Sequence, residues 1–255
     1  MTRLLNPILC ALFVLTTLTA QAQANQTEGV VNYTRRTYWI KIIARMTYLS
    51  QEQKDRAANT WKNEEEGSKE KMKLTFTPTT SLYTYESESG ESEDGRYTWR
   101  NRELAFFRDF DKEQQTDVEE MLGKVYVIDD SLRIPAWKIG NQVREIAGHM
   151  CLNATTTDPI KNQAIVAWFA QDIPVSAGPE RYYGLPGLIL ELDVNNGDVV
   201  IEATSVTFKP VAADMKLPKP KKPKKLDGKG YETMLKNYIV EQMKEQQNPY
   251  WEIRY

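Results

Sequence analysis

The sequence predicts an α+β protein built mainly on an antiparallel, curled β-sheet that runs as a meander and packs with a few helices. Three observations predict it. Leu188, Leu190, Leu192 and Val194 alternate with Ile189, Glu191 and Asp193, the period of a strand with one buried face. Asn196-Gly197 suits a two-residue hairpin loop, and Val199, Ile201 and Ala203 then resume the alternation. Similar short runs recur between turn residues without a fixed period, which favours a meander over a propeller or solenoid.

The elements follow in order. Arg3, an apolar run from Leu4 to about Leu18 and the small residues after it read as a secretory signal peptide over residues 1–22, with cleavage after Ala22 or Ala24. That run is too short to span a bilayer, and no later segment is long and apolar enough to do so. An opening strand is predicted from Gly29 to about Tyr38, with Val31, Tyr33 and Arg35 sharing one face. Residues 40–49 fit either a strand or a short helix, and Gln51 to Trp61 reads as helix. Two strands flank Pro78, and Glu86, Glu88, Glu91, Glu93 and Asp94 make an acidic hairpin tip. Alternating positions continue over Tyr97 to Phe110 and Glu119 to Ile128. Gln142 to Thr155 and Ala164 to Ala170 read as a hairpin joined through Asp158-Pro159. The β-rich domain is expected over 25–215. A spacer follows at 216–226, where six lysines interleave with Pro218, Pro220 and Pro223, then an amphipathic helix over 227–247 and a tail over 248–255.

Removing Arg3 with the signal leaves 32 basic residues against 35 acidic ones, too balanced to imply nucleic acid as a partner. Cys10 leaves with the signal too, so Cys151 stands alone and stability in an oxidising compartment rests on packing. The lysine-proline spacer is expected to touch anionic lipid weakly or simply to connect.

Candidate chemistry is sparse. One histidine, His149, makes a multi-histidine metal site impossible. His149 and Cys151 share a strand face and present nitrogen and sulfur to a soft metal, or are plain structure. If Val194 pairs with Val199, Glu191 faces Glu202 across the hairpin. Such a carboxylate pair holds a cation or equips a glycoside hydrolase, unless neighbouring lysines or arginines neutralise it. Trp168, Phe169, Tyr182, Tyr183, Leu188 and Leu190 are candidate ligand-lining residues and equally candidate core. No nucleophile elbow, phosphate-binding glycine loop, CxxC pair or HExxH helix is present, and no cofactor is expected.

The run from Gly178, Pro179, Glu180 and Arg181 through Tyr182, Tyr183, Gly184, Leu185, Pro186, Gly187 and Leu188 to Ile189 resembles the GLPGLI proteins of Bacteroidota envelopes. Pro186 and Gly187 fit a type II turn there. Trp137-Lys138-Ile139, the segment Ile146 to Ala154 with Cys151, Ala167-Trp168-Phe169 and Ile173-Pro174-Val175 carry the resemblance further. His149 stands where the family has Tyr, and Asn153 where Lys is common. The resemblance implies an exported envelope protein, placed in the periplasm or cell envelope, with a fold similar to periplasmic lipid or lipoprotein carriers. It also implies an accessory role beside a TonB-dependent outer-membrane barrel. The expected function is binding of a hydrophobic or peptide ligand or of the barrel itself. The alternatives are a carboxylate-dependent envelope hydrolase and a soft-metal-binding protein.

Overall fold

The computed structural model describes residues 27–63, 65–91 and 95–255. The predicted signal peptide and part of the acidic tip, Glu93 and Asp94 included, lie outside them.

Among the described residues, twelve strands form one open sheet and two more a separate hairpin. β1 (Gly29–Thr37) is central and pairs on one side with β2 (Ser68–Phe76) and on the other with β13 (Val199–Phe208). From β2 the sheet continues through β3 (Thr80–Tyr85), β6 (Leu104–Asp109), β7 (Gln114–Met121) and β8 (Lys124–Ser131). From β13 it continues through β12 (Leu188–Val194), β11 (Gln163–Ala170), β10 (His149–Asp158) and β9 (Lys138–Ile146). β4 (Ser89–Glu91) and β5 (Thr98–Arg100) make the separate hairpin. β14 (Lys224–Leu226) adds to β8 in parallel, and the other pairings are antiparallel.

The sheet curls, because Phe106 of β6 and Leu192 of β12, five places apart in the strand order, line one cavity. Register places Val31, Tyr33, Arg35 and Thr37 on the inner face beside Met72, Leu74, Ala203 and Ile201, most of them wholly buried. That face also carries charge, which the interior must match with partners.

Three helices among the described residues accompany the sheet. α1 (Trp39–Arg45) realises the helical alternative for residues 40–49. α2 (Gln51–Trp61) is set by a capping box: Ser50 Oγ accepts from Gln53 N at 3.2 Å while Gln53 Oε1 accepts from Ser50 N at 2.8 Å. α3 (Gly228–Lys244) starts on Asp227, whose carboxylate accepts from Gly230 N at 2.7 Å.

Several expectations are corrected. Glu119 to Ile128 and Gln142 to Thr155 each contain a hairpin, closed by Leu122-Gly123 and Ala147-Gly148, with all four residues at positive φ. A two-residue turn of this hand wants Asn or Asp first, so Leu and Ala concealed it. Conversely, Asn195, Asn196 and Gly197 are all left-handed and Asp198 N reaches back to Val194 O at 2.9 Å, so that loop is longer than two residues while its expected Val194–Val199 register holds. At Pro186 the turn is tighter than type II. Gly187 N donates to Leu185 O at 2.8 Å, a three-residue turn, and Leu188 N donates away to Ile173 O. Gly187 has φ +156, and a Cβ there would run into the Ala170 carbonyl. The expected spacer and tail are also packed: residues 224–226 join the sheet, and Ile253 and Arg254 lie in the interior.

Candidate functional site

Residues 171–187 leave β11 and fold back into the curl, tied by Leu188 N to Ile173 O and by Ile189 N to Ala177 O, both at 3.0 Å. The tip of this plug is Glu180-Arg181, and Glu180 itself is left-handed at φ 57. A bulky residue holds that conformation only when its surroundings impose it. Here the two side chains lead to two separate buried networks.

Glu180 takes Arg254 Nε on both oxygens at 2.9 Å and Arg254 Nη2 at 2.8 Å, with Arg35 Nε at 3.4 Å. Arg35 Nη1 donates to Glu70 at 2.8 Å, and Tyr85 OH donates to the other Glu70 oxygen at 3.0 Å. Burial alone would raise the Glu70 pKa, but Arg254 and Arg35 outweigh it and bring it down to about 2. Burial likewise opposes the Arg254 charge, and Glu180 and Glu70 hold its pKa well above the ordinary arginine value.

Arg181 turns the other way. Its Nε donates to Asp117 at 2.7 Å and its Nη2 to Glu119 at 2.9 Å, while Nη1 donates to Tyr231 OH. The guanidinium also lies over the Tyr231 ring at 4.2 Å and the Phe106 ring at 4.8 Å. Asp117 keeps a second cation, Arg108 Nη1, at 2.5 Å. Arginine suits both networks because its planar fork serves two carboxylates and an aromatic face at once.

Between the networks lies a cavity of about 80 Å³, lined in part by Glu119, Glu180, Arg181 and Tyr182, and by Leu192 and Ile201. A more open groove of about 330 Å³ lies at the rim, lined by Trp39, Trp99, Trp251, Tyr85, Arg102 and Glu103 among others. Trp39 packs at a tilt against Trp251 at 4.6 Å and against Trp61 at 5.9 Å, and Trp251 and Trp99 are 44% and 49% exposed. Arg35, Glu70 and Arg254 of the first network also line this groove.

The plug is also the stretch that comparison recognises. The family described as a protein of unknown function (Porph_ging) matches residues 160–191. That is a short, Bacteroidota-associated match spanning the turn before β11, the plug and the start of β12. No curated protein matches the sequence. Two solved structures of PNGF-II are similar in fold. The C2 crystal form is 16% identical at a TM-score of 0.53, and the P21 form 15% identical at 0.54. Each match covers 82% of this chain, which spans about a third of theirs, 32% and 33%. An uncharacterized conserved protein from Thermus thermophilus aligns over 82% of this chain and 99% of its own at 4% identity, with a TM-score of 0.37.

The candidate residues separate by face. Phe169, Leu188 and Leu190 are wholly buried core, and Tyr183 is buried with its hydroxyl accepting from Arg133 N at 2.6 Å. Of the six lining candidates, Tyr182 alone lines the interior cavity. Trp168 lies under Arg144, whose guanidinium sits 4.3 Å from its ring centre. Glu191 and Glu202 do pair across the hairpin, on the face opposite Leu192 and Ile201. Glu191 is bonded by Arg144, reaching over from β9, and Glu202 by Arg36 of the adjacent β1 at 3.3 Å, so each carboxylate has an arginine partner. His149 Nδ1 lies 2.7 Å from Asp172 Oδ2, and Cys151 Sγ donates to the His149 carbonyl at 3.5 Å. Burial and then Asp172 push the Cys151 thiol up to about 12, which keeps it protonated and a poor metal ligand. Among the described residues no group of three or more His, Cys, Asp or Glu converges as a metal site.

Sequence reading missed Glu70, Asp117, Glu119, Arg181 and Arg254. One signal was available: Glu180-Arg181 stands between a glycine-proline turn and two tyrosines, where an exposed loop has no need of bulky aromatic neighbours.

Proposed function

We propose that the protein is an exported, non-catalytic binding module of the cell envelope that takes an extended peptide segment in its rim groove. One observation carries this: a tryptophan-lined concavity of about 330 Å³ opens at the rim, whereas the cavity inside the plugged curl is about 80 Å³. Exposed tryptophans beside arginines and glutamates, Arg102 and Glu103 among them, suit a peptide, whose side chains and backbone offer both apolar and hydrogen-bonding surface. An interior carrier for a large lipid is disfavoured by the same volumes. A hydrolase is disfavoured because each carboxylate of the two networks is engaged by an arginine, so none stands free to carry a proton to a substrate.

The resemblance to the GLPGLI proteins supports the envelope address and supplies the natural source of the peptide, an exposed segment of a TonB-dependent outer-membrane barrel. Labelled extended peptides from a mixed-sequence pool, titrated while tryptophan fluorescence is followed, test the reading. Saturable binding that is lost in Trp251→Ala with Trp99→Ala, at unchanged melting temperature, is the expected result. Binding that survives both changes, or no saturable binding from any pool, removes it.

A further inference from the structure

The interior cavity is lined by two donors, half-buried Lys161 and buried Gln163, that no carboxylate of the networks takes. Lys161, in the turn between β10 and β11, donates to the Arg254 carbonyl at 2.7 Å, and among the described residues no carboxylate pairs with its ammonium. Arg35, Arg181 and Arg254, which line the same cavity, each have at least two carboxylates. Gln163, the first residue of β11, is 3% exposed, and its Nε2 has no acceptor. Both side chains line the cavity. A buried donor without an acceptor costs stability, and so does a buried cation without a counter-charge.

The lining carboxylates do not meet this need. Asp158 accepts from Ile160 N at 2.7 Å and Lys161 N at 2.9 Å, Glu119 is bonded by Arg181, and Glu180 by Arg254. The rest of the wall includes Leu192, Val194, Ile201 and Leu235. So the cavity presents an ammonium and an amide donor together with an apolar lining. Its volume, about 80 Å³, holds roughly five waters or a molecule of about six heavy atoms.

We propose that this cavity binds a short-chain monocarboxylate, its carboxylate taken by Lys161 and Gln163 and its alkyl chain laid against Leu192, Val194, Ile201 and Leu235. The site adjoins the rim groove across Arg35, Glu119, Arg254 and Tyr255, but Lys161, Gln163 and the apolar wall proposed to hold the ligand do not line that groove. A carboxylate is the simplest group that accepts from both donors and brings the missing negative charge. The chain length is limited by the volume: butyrate fits, and octanoate does not.

Sodium butyrate, titrated into isotope-labelled protein against matched sodium chloride, tests the site. Saturable movement of the Gln163 side-chain amide resonances and a rise in melting temperature are expected, with acetate weaker because it leaves apolar wall uncovered. Lys161→Met, which keeps the chain and removes the charge, weakens butyrate by roughly tenfold or more. If that variant fails to fold, the Gln163 resonances of the unaltered chain remain decisive. No saturable movement there, equal binding of octanoate, or undiminished affinity in a folded Lys161→Met protein overturns the proposal and leaves water as the content of the cavity.

Discussion

Both Glu180 carboxylate oxygens lie 2.9 Å from Arg254 Nε, so residues 74 apart in sequence meet inside the curl and tie the plug to the C-terminal segment. A buried pair of this kind is weak evidence of net stabilisation, yet breaking it from one side leaves an uncompensated charge. Glu180→Gln removes the charge that Arg254 and Arg35 share. The expected loss is about 3 kcal/mol, read as a lower urea midpoint with little change in slope. A midpoint within error of the parent would show that the networks rearrange freely, and the plug would lose its structural role.

Glu70 makes the fold acid-sensitive. Its pKa falls from 4.5 to about 2 despite burial, because Arg254 and Arg35 favour the carboxylate. The folded value is below the unfolded one, so this stabilisation is complete above pH 4.5 and disappears as pH drops from there toward 2. With the side chain 30% exposed, solvent screening trims the contribution to about 2 kcal/mol. Urea midpoints measured between about pH 6 and about pH 3 should fall for the parent and fall less for Glu70→Gln. Parallel curves would place the acid sensitivity in other groups.

Much of the sheet was legible because a half-buried strand writes its period into the chain. Val31, Tyr33 and Arg35 were assigned one face from alternation alone, and that face is the inner one. The partner of Arg35 was not legible. Glu70 sits among lysines at 69, 71 and 73, and a local pattern of charge reads as solvent-facing whether or not a distant cation covers it. The C-terminal segment hid for a related reason: Ile253 and Arg254 show no period, and only the curl of the sheet gives them an interior to enter. Glu191 and Glu202 show the converse, a pairing read correctly from register whose neutralisation depends on Arg144 and Arg36, one from each flank of the sheet.

Gly187 tests the entry into β12. Its φ of +156 lies at the edge of what other residues adopt, and an added Cβ would meet the backbone oxygen of Ala170, which cannot move without breaking β11. Gly187→Ala is expected to cost about 2 to 4 kcal/mol, seen as a lower melting temperature, whereas Gly123→Ala, with open space around it, costs less. Equal losses at both positions would mean that positive φ, and not the close approach to Ala170, sets the requirement for glycine.

Glu191 separates a buried charge that helps from one that does not. Burial raises its pKa, and Arg144 only partly offsets this while Glu202 opposes the charge from across the hairpin. A folded pKa above the unfolded one means that folding favours the protonated acid, so the stability linked to Glu191 is present at low pH and lost as pH rises through 4.5 and beyond. Neutral Gln at this position removes the penalty. Glu191→Gln should therefore be at least as stable as the parent near neutral pH, with the two converging in acid, the opposite sign to Glu180→Gln. The urea midpoints of the two variants at about pH 7 decide the matter. If Glu191→Gln is destabilised as strongly as Glu180→Gln, the Arg144 contact outweighs burial, and the carboxylate pair on the opposite face of the hairpin contributes to stability after all.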